Sequence, residues 1–219
     1  MMTGHPHLRE KLSEHFSKYF KNGLQNRDIN PNSEVLVTCG AMGALQSALM
    51  NLVGPGDEVL MFEPYFTSYC SHIEFSGAGI KTAPMYVDEN REWQHNWEAF
   101  EKEITDKTKV VLITNPHNPT GKLWTQPDIE RLSSILEKHP KIKVISDDVY
   151  YFLPFDQRKY ITFADHSPEN WAKTLNIFSA GKLLNCTGWK IGWAIGPSDL
   201  LRRATQVHEA STFNVNVPG

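Results

Sequence analysis

Apolar side chains at Leu8, Leu12, Phe16, Tyr19 and Phe20 recur at helical spacing with charged residues between them, and Asn22-Gly23 supplies a stop signal. The spacing predicts an amphipathic helix over 6–22. A short apolar run, Val35-Leu36-Val37, reads as a buried strand, followed by Gly40 and a helical stretch through Leu45, Leu49 and Leu52 to Gly54-Pro55-Gly56. The alternation continues with strands predicted at 58–62, 80–86, 109–114, 142–146, 174–178 and 191–195. Helices are predicted after Pro64, near 97–104, over 127–138 with proline at its start, and over 198–211. Near-continuous apolar strands alternating with helices are the pattern of a sheet covered on both faces. The expected fold class is therefore α/β, a mostly parallel sheet with helices on both sides, forming one domain across 1–219. Phe213 to Gly219 reads neither as a closing helix nor as a charged tail, which suggests one domain of a larger design.

Composition narrows the partners. The chain has 219 residues, 40% of them hydrophobic, enough to bury a core, and its 21% charged fraction, 14 glycines and 13 prolines exclude a disordered or collagen-like chain. A formal charge of −3 with scattered basic residues leaves no broad attraction to nucleic acid or anionic membrane, but permits local sites for small anions. No apolar run approaches the ~20 residues needed to span a bilayer, and the first residues lack a signal peptide's apolar segment. The expectation is a soluble cytoplasmic protein; the residues do not separate cytosol from an organelle. Cys39, Cys70 and Cys186 are odd in number with no CxxC pair, and are read as reduced thiols. His5 and His7 lack a third ligand nearby, so no metal site is expected, and Gly77 and Gly79 form only a fragment of a dinucleotide fingerprint.

In an open α/β sheet, ligands sit beyond the carboxyl ends of the strands, so the residues just after each strand are the candidates. Gly40-Ala41-Met42-Gly43 opens a helix, where free amides favour an anion; a simple tight turn explains it equally well. Asn115-Pro116-His117-Asn118-Pro119-Thr120-Gly121 is a loop stiffened by two prolines and able to present side-chain amides. Asp147, Asp148 and Tyr150 follow a buried strand, and a carboxylate there needs a hydrogen-bonded or cationic partner such as a protonated heterocycle. Capping of the next turn is the plainer reading. Lys182, in Phe178-Ser179-Ala180-Gly181-Lys182, would become nucleophilic if partly buried and stay inert if solvated. Thr187-Gly188-Trp189-Lys190 adds a second lysine suited to balancing an anion.

These segments, in this order, resemble the class I/II aminotransferases, pyridoxal-phosphate enzymes of fold type I, over nearly the whole chain. Ser179-Ala180-Gly181-Lys182 together with Thr187-Gly188-Trp189-Lys190-Ile191-Gly192-Trp193 is most similar to the kynurenine aminotransferase and cysteine-S-conjugate β-lyase branch. The resemblance implies a pyridoxal 5′-phosphate cofactor held as a Schiff base by Lys182, which then shuttles the substrate proton. Asp147 would face the pyridine nitrogen. Tyr150 and Asn118 would donate to the phenolic oxygen, and Phe66 would stack on the ring. Gly40, Ala41 and Met42 amides, the Ser179 hydroxyl and Lys190 would bind the phosphate.

The family's Asp-Glu-x-Tyr reads Asp147-Asp148-Val149-Tyr150 here. The substrate-binding arginine of the family's C-terminal small domain, and the N-terminal arm that lends a tyrosine across the dimer, are expected to be missing, which implies impaired transamination. The resemblance implies a homodimer acting on an amino acid and a 2-oxo acid, the former aromatic or sulfur-containing, with kynurenine a candidate. β-Elimination from cysteine conjugates uses the same carbanion, and a catalytically weak cofactor- or partner-binding remnant is a different-class alternative. A nucleotide-binding domain would account for Gly40 and leave Lys182, Asp147 and Asn118 without a role.

Overall fold

The computed structural model describes residues 3–155 and 157–215. Eight strands form one sheet: β1 (Val35–Cys39), β2 (Glu58–Glu63), β3 (Gly79–Val87), β4 (Trp93–His95), β5 (Thr108–Thr114), β6 (Lys143–Asp147), β7 (Thr174–Ser179) and β8 (Ile191–Ile195). Their order is β1-β8-β7-β6-β5-β2-β3-β4. The five strands from β7 to β3 run parallel, whereas β8 is antiparallel to both β7 and β1, and β4 is antiparallel to β3. The sheet is thus mostly parallel, as the alternation predicts.

Alternate residues of the central strands feed opposite faces, because side chains along a strand point to opposite sides. Val59, Met61, Val110 and Leu112 face α2 (Gly40–Leu52), α3 (Ser68–Phe75) and α8 (Ser198–Thr212), where Leu45, Leu49, Ile73, Leu201 and Ala204 complete the core. Leu60, Phe62, Val111 and Ile113 face the other way, against Phe100 of α4 (Trp97–Lys102) and Ile129, Leu132 and Leu136 of α5 (Gln126–Glu137). A third cluster joins Leu12 and Phe16 of α1 (Pro6–Phe16) to Val35, Val37, Phe178 and Trp193. Each fully buried Leu, Ile or Phe contributes roughly 1.5–3 kcal/mol of apolar transfer energy. α5 begins with a reciprocal cap: Thr125 accepts from the Asp128 N–H, and Asp128 accepts from the Thr125 N–H.

Four features depart from the sequence reading. The helix predicted over 6–22 ends at Phe16 and passes into a 3-10 turn at Ser17–Tyr19. Ser13 Oγ donates to the Ile29 carbonyl at 2.6 Å, while Ser17 Oγ accepts from the Ile29 N–H at 3.0 Å, so a later segment competes for this turn. Phe20 is drawn into the core against Trp171. β4 is three residues long and escapes a period-2 reading. The short helices α6 (Pro168–Trp171) and α7 (Ala180–Leu183) likewise fall below the length at which periodicity shows. Lastly, β8 enters antiparallel, since Thr187–Trp189 is a 3-10 turn that returns the chain beside β7 without a crossover helix. Of the irregular end predicted over 213–219, Phe213 follows α8 with φ +63° and Val215 is buried; 216–219 lie outside the described residues. No helix among the described residues is long and apolar enough to cross a membrane.

Candidate cofactor site

Strand direction alone gathers the candidates. Because β8 is antiparallel to both β1 and β7, the carboxyl ends of β1, β7, β6, β5 and β2 lie along one edge of the sheet, together with the start of β8. At that edge Thr114 pairs with Asp147, Asp147 with Ile177, and Cys39 with Ile191. The residues that follow these strand ends are Gly40, Phe66, Asn118, Tyr150 and Lys182, and Lys190 immediately precedes β8.

The α2 terminus combines geometry and charge. Gly40 has φ +71°, a conformation that favours glycine, and a Cβ there would lie 3.7 Å from Lys190 Cδ. A Cβ on Gly192 would lie 2.4 Å from the Ala41 nitrogen, so only glycine lets β8 run against the opening of α2. Cys39 offers the helix no side-chain cap. The first amides of a 13-residue helix thus meet the exposed Lys190, an arrangement suited to a phosphate dianion. His208 of α8 braces the preceding residue by accepting the Cys39 N–H at 3.2 Å.

Asp147 ends β6 half-buried. Tyr69 donates from its hydroxyl to Asp147 Oδ2 at 2.6 Å, and the Val149 N–H reaches Oδ1 at a long 3.4 Å. Burial raises the Asp147 pKa above the usual carboxylate value, while the Tyr69 bond, the Val149 amide and the Lys182 charge pull it down. The capping reading therefore holds weakly for Asp147. It fails for Asp148, which is fully buried, accepts from Ser146 Oγ at 2.9 Å and is pushed up to about 8 by burial. The neighbouring acids have separate environments because successive residues point to opposite faces.

Lys182 lies on α7, its Nζ 5.5 Å from the centre of the Tyr150 ring. It is exposed, the solvated one of the two alternatives that the sequence left open. Ser179, the last residue of β7, is buried. A Cβ on Gly181 would come within 2.9 Å of Thr187 Cα, so this glycine permits α7 to pack against the Thr187–Trp189 turn.

The proline-rich loop assigns different tasks to its asparagines. Asn115 is structural: its amide donates to the Ile161 carbonyl at 2.7 Å and its oxygen accepts the Trp124 N–H at 3.1 Å. His117 Nδ1 lies 2.8 Å from Thr120 Oγ1 and its pKa is lowered to about 4 by burial, aided by His95 and Lys122; it is neutral at pH 7. Asn118 remains half-buried beside Tyr150 in a recess of about 370 Å³, with Leu153, Phe155 and Arg158 opposite. Phe66 is half-buried and meets Tyr69 edge-on at 5.5 Å. Ala41 and Met42 are partly buried in the first turn of α2.

Comparison with known proteins identifies the family. Residues 1–218 match the family described as aminotransferase class I and II. The chain belongs to this family. Its members depend on pyridoxal phosphate. The chain is 35% identical to kynurenine–oxoglutarate transaminase of Dictyostelium discoideum, over 98% of this chain and 51% of the relative. It is 34% identical to kynurenine–oxoglutarate transaminase 3 of Rattus norvegicus, over 98% and 47%. Among solved structures, YbdL of Escherichia coli, for which a methionine aminotransferase function is described, superposes with a TM-score of 0.89 at 32% identity, over 98% of this chain and 54% of that one. N-Succinyldiaminopimelate aminotransferase of Mycobacterium tuberculosis gives 0.90 at 33%, with the same coverage. The chain therefore spans about half the length of the relatives it matches, and its fold is that of an aminotransferase large domain.

Sequence reasoning missed Tyr69. The available signal was its position three residues after Phe66, which places the two on one side of the chain as α3 begins.

Proposed function

We propose that this chain carries the cofactor-binding half of an aminotransferase that moves an amino group between an aromatic or sulfur-containing amino acid, kynurenine among them, and a 2-oxo acid. The observation that carries the reading is the meeting of Lys182, Tyr150 and Asp147 at one sheet edge with the uncapped α2 terminus and Lys190. The donor set suits pyridoxal phosphate: amides and a cation for the phosphate, a carboxylate for the pyridine nitrogen and an amine for the aldehyde. When bound, the cofactor supplies an electron sink for the pair left when the substrate's Cα proton is removed.

The remaining chemistry belongs to the protein. Lys190 and the amides of Gly40, Ala41 and Met42, with Ser179, bind the phosphate. Phe66 supplies an aromatic plate, and Asp147 holds a proton on the pyridine nitrogen by its charge. Asn118 and Tyr150 hydrogen-bond the phenolic oxygen. Lys182 Nζ would be the attachment point for the cofactor's aldehyde, and as a free amine it would take up the substrate's Cα proton. The names of the kynurenine–oxoglutarate transaminases support the substrate class, and the methionine activity described for YbdL supports the sulfur-containing alternative. Assembly as a homodimer is part of the proposal, to be checked by light scattering.

The test is borohydride reduction of the purified protein with pyridoxal phosphate, peptide mapping, and amino transfer from kynurenine or methionine to 2-oxoglutarate. Labelling at Lys182, absent in Lys182→Ala, with amino transfer supports the reading. Labelling without transfer confines it to cofactor binding, and no labelling of folded protein refutes it.

A further inference from the structure

Tyr69 has no assigned part in the site, yet its environment is unusual for a tyrosine. It sits on the buried face of α3, 2% exposed, in the apolar cluster that includes Ile73, Met61 and Leu112. A phenol in such a place needs a partner, since a buried unpaired hydroxyl is costly. Its partner is Asp147 Oδ2 at 2.6 Å, a short distance typical of an O–H bonded to an ionised oxygen. The ring edge meets Phe66 at 5.5 Å and 88°. One side chain thus touches both the carboxylate and the aromatic plate of the cofactor reading.

We infer that Tyr69 is a positioning residue of this site, its phenol fixing the Asp147 carboxylate so that Oδ2 is engaged by the protein and Oδ1 is left for the pyridine nitrogen. This deepens the reading given above and rests on it. Asp147 Oδ1 has the Val149 amide at 3.4 Å, too long to compete strongly. The charged and titratable groups around the carboxylate are Tyr69 from α3, Lys182 from α7, and Asp148 and Tyr150 from its own segment. Burial and the nearby Asp147 charge hold the Tyr69 phenol well above its ordinary pKa, so it remains a donor across the working range. Without that donor the carboxylate would lose its shortest bond and be free to rotate or to take up a proton.

The test uses Tyr69→Phe, which keeps the ring and its packing, in the purified protein. Two readouts are taken: the titration midpoint of Asp147 in the cofactor-free protein, by NMR with aspartate 13Cγ labelling, and the dissociation constant of pyridoxal phosphate with the pH midpoint of its visible absorbance. The expected result is a raised Asp147 midpoint and cofactor binding weakened by about tenfold to a hundredfold, the usual range for a hydrogen bond to a charged acceptor. In Asp147→Asn the further Tyr69→Phe change should weaken binding by less than about threefold, because Tyr69 acts through the carboxylate. An unmoved Asp147 midpoint overturns the inference, as does weakened binding that is fully additive with Asp147→Asn, since either outcome makes Tyr69 a packing residue. Failure of the wild type to label at Lys182 would instead sink the cofactor reading, so the two failures are distinguishable.

Discussion

Asp148 offers a sharp test of how burial controls charge in this domain. It is 0% exposed, its Oδ1 accepts from Ser146 Oγ, and its Oδ2 has no well-formed hydrogen bond although Tyr160 lies beside it. Burial, reinforced by the Asp147 charge, pushes its pKa up to about 8 from an ordinary 3.8. Between those values the folded chain holds a proton that the unfolded chain has released. Stability from this group is therefore fully present below the unfolded pKa and is lost as pH rises toward the folded one, at up to ~1.4 kcal/mol per pH unit. From pH 5 to 8 the loss is roughly 3–4 kcal/mol, an upper bound because local relaxation lets water reach an ionised carboxylate. Asp148→Asn resembles the protonated acid and cannot ionise. Urea unfolding followed by tryptophan fluorescence at pH 5, 6, 7 and 8 should show the wild type losing stability relative to the variant as pH rises, with similar m-values. Parallel pH profiles for the two proteins would refute the claim that Asp148 is neutral in the folded state.

Four further outcomes follow from specific contacts, or from the lack of one. Gly192→Ala places a methyl group 2.4 Å from backbone atoms of Gly40 and Ala41, so it should cost about 1–3 kcal/mol and weaken pyridoxal phosphate uptake. Gly188→Ala, which meets nothing within 4 Å, should match the wild type in both calorimetry and cofactor titration. Leu132→Ala removes a fully buried side chain from α5 and should destabilise by about 2–5 kcal/mol in denaturant unfolding without altering Lys182 labelling. Thr125→Ala breaks the reciprocal cap of α5 and should cost about 1 kcal/mol by the same assay, with Thr125→Ser recovering most of it.

The elements that sequence reasoning placed well are those in which one local rule dominates. β5 and β6 each carry an apolar run, Val110 to Ile113 and Val144-Ile145, because both faces are covered there, and α5 announces itself by Thr125, Pro127 and its spaced leucines and isoleucines. Helix α1 ran short because the Ile29 backbone competes for Ser13 and Ser17, a contact across 12 to 16 residues that no local window contains. The same limit separates the two asparagines of the proline-rich loop. Both look available in sequence, but Asn115 is occupied by Ile161 and Trp124, leaving Asn118 beside Tyr150.

By itself the sequence determined the alternation of strands and helices, the sheet edge that carries the candidate residues, and the residue types gathered there, because these follow from hydrophobic period and from the order of motifs along the chain. Tertiary structure alone decided which carboxylate is held by Tyr69 and which is buried without charge, that Lys182 stands exposed, and that β8 inserts antiparallel to bring Lys190 to the α2 terminus. The physical reason is range: period and turn chemistry act over a few residues, whereas desolvation, the register of β1 on β8 and the pairing of Tyr69 with Asp147 join groups 78 residues apart or more, where only the folded chain sets distance and dielectric.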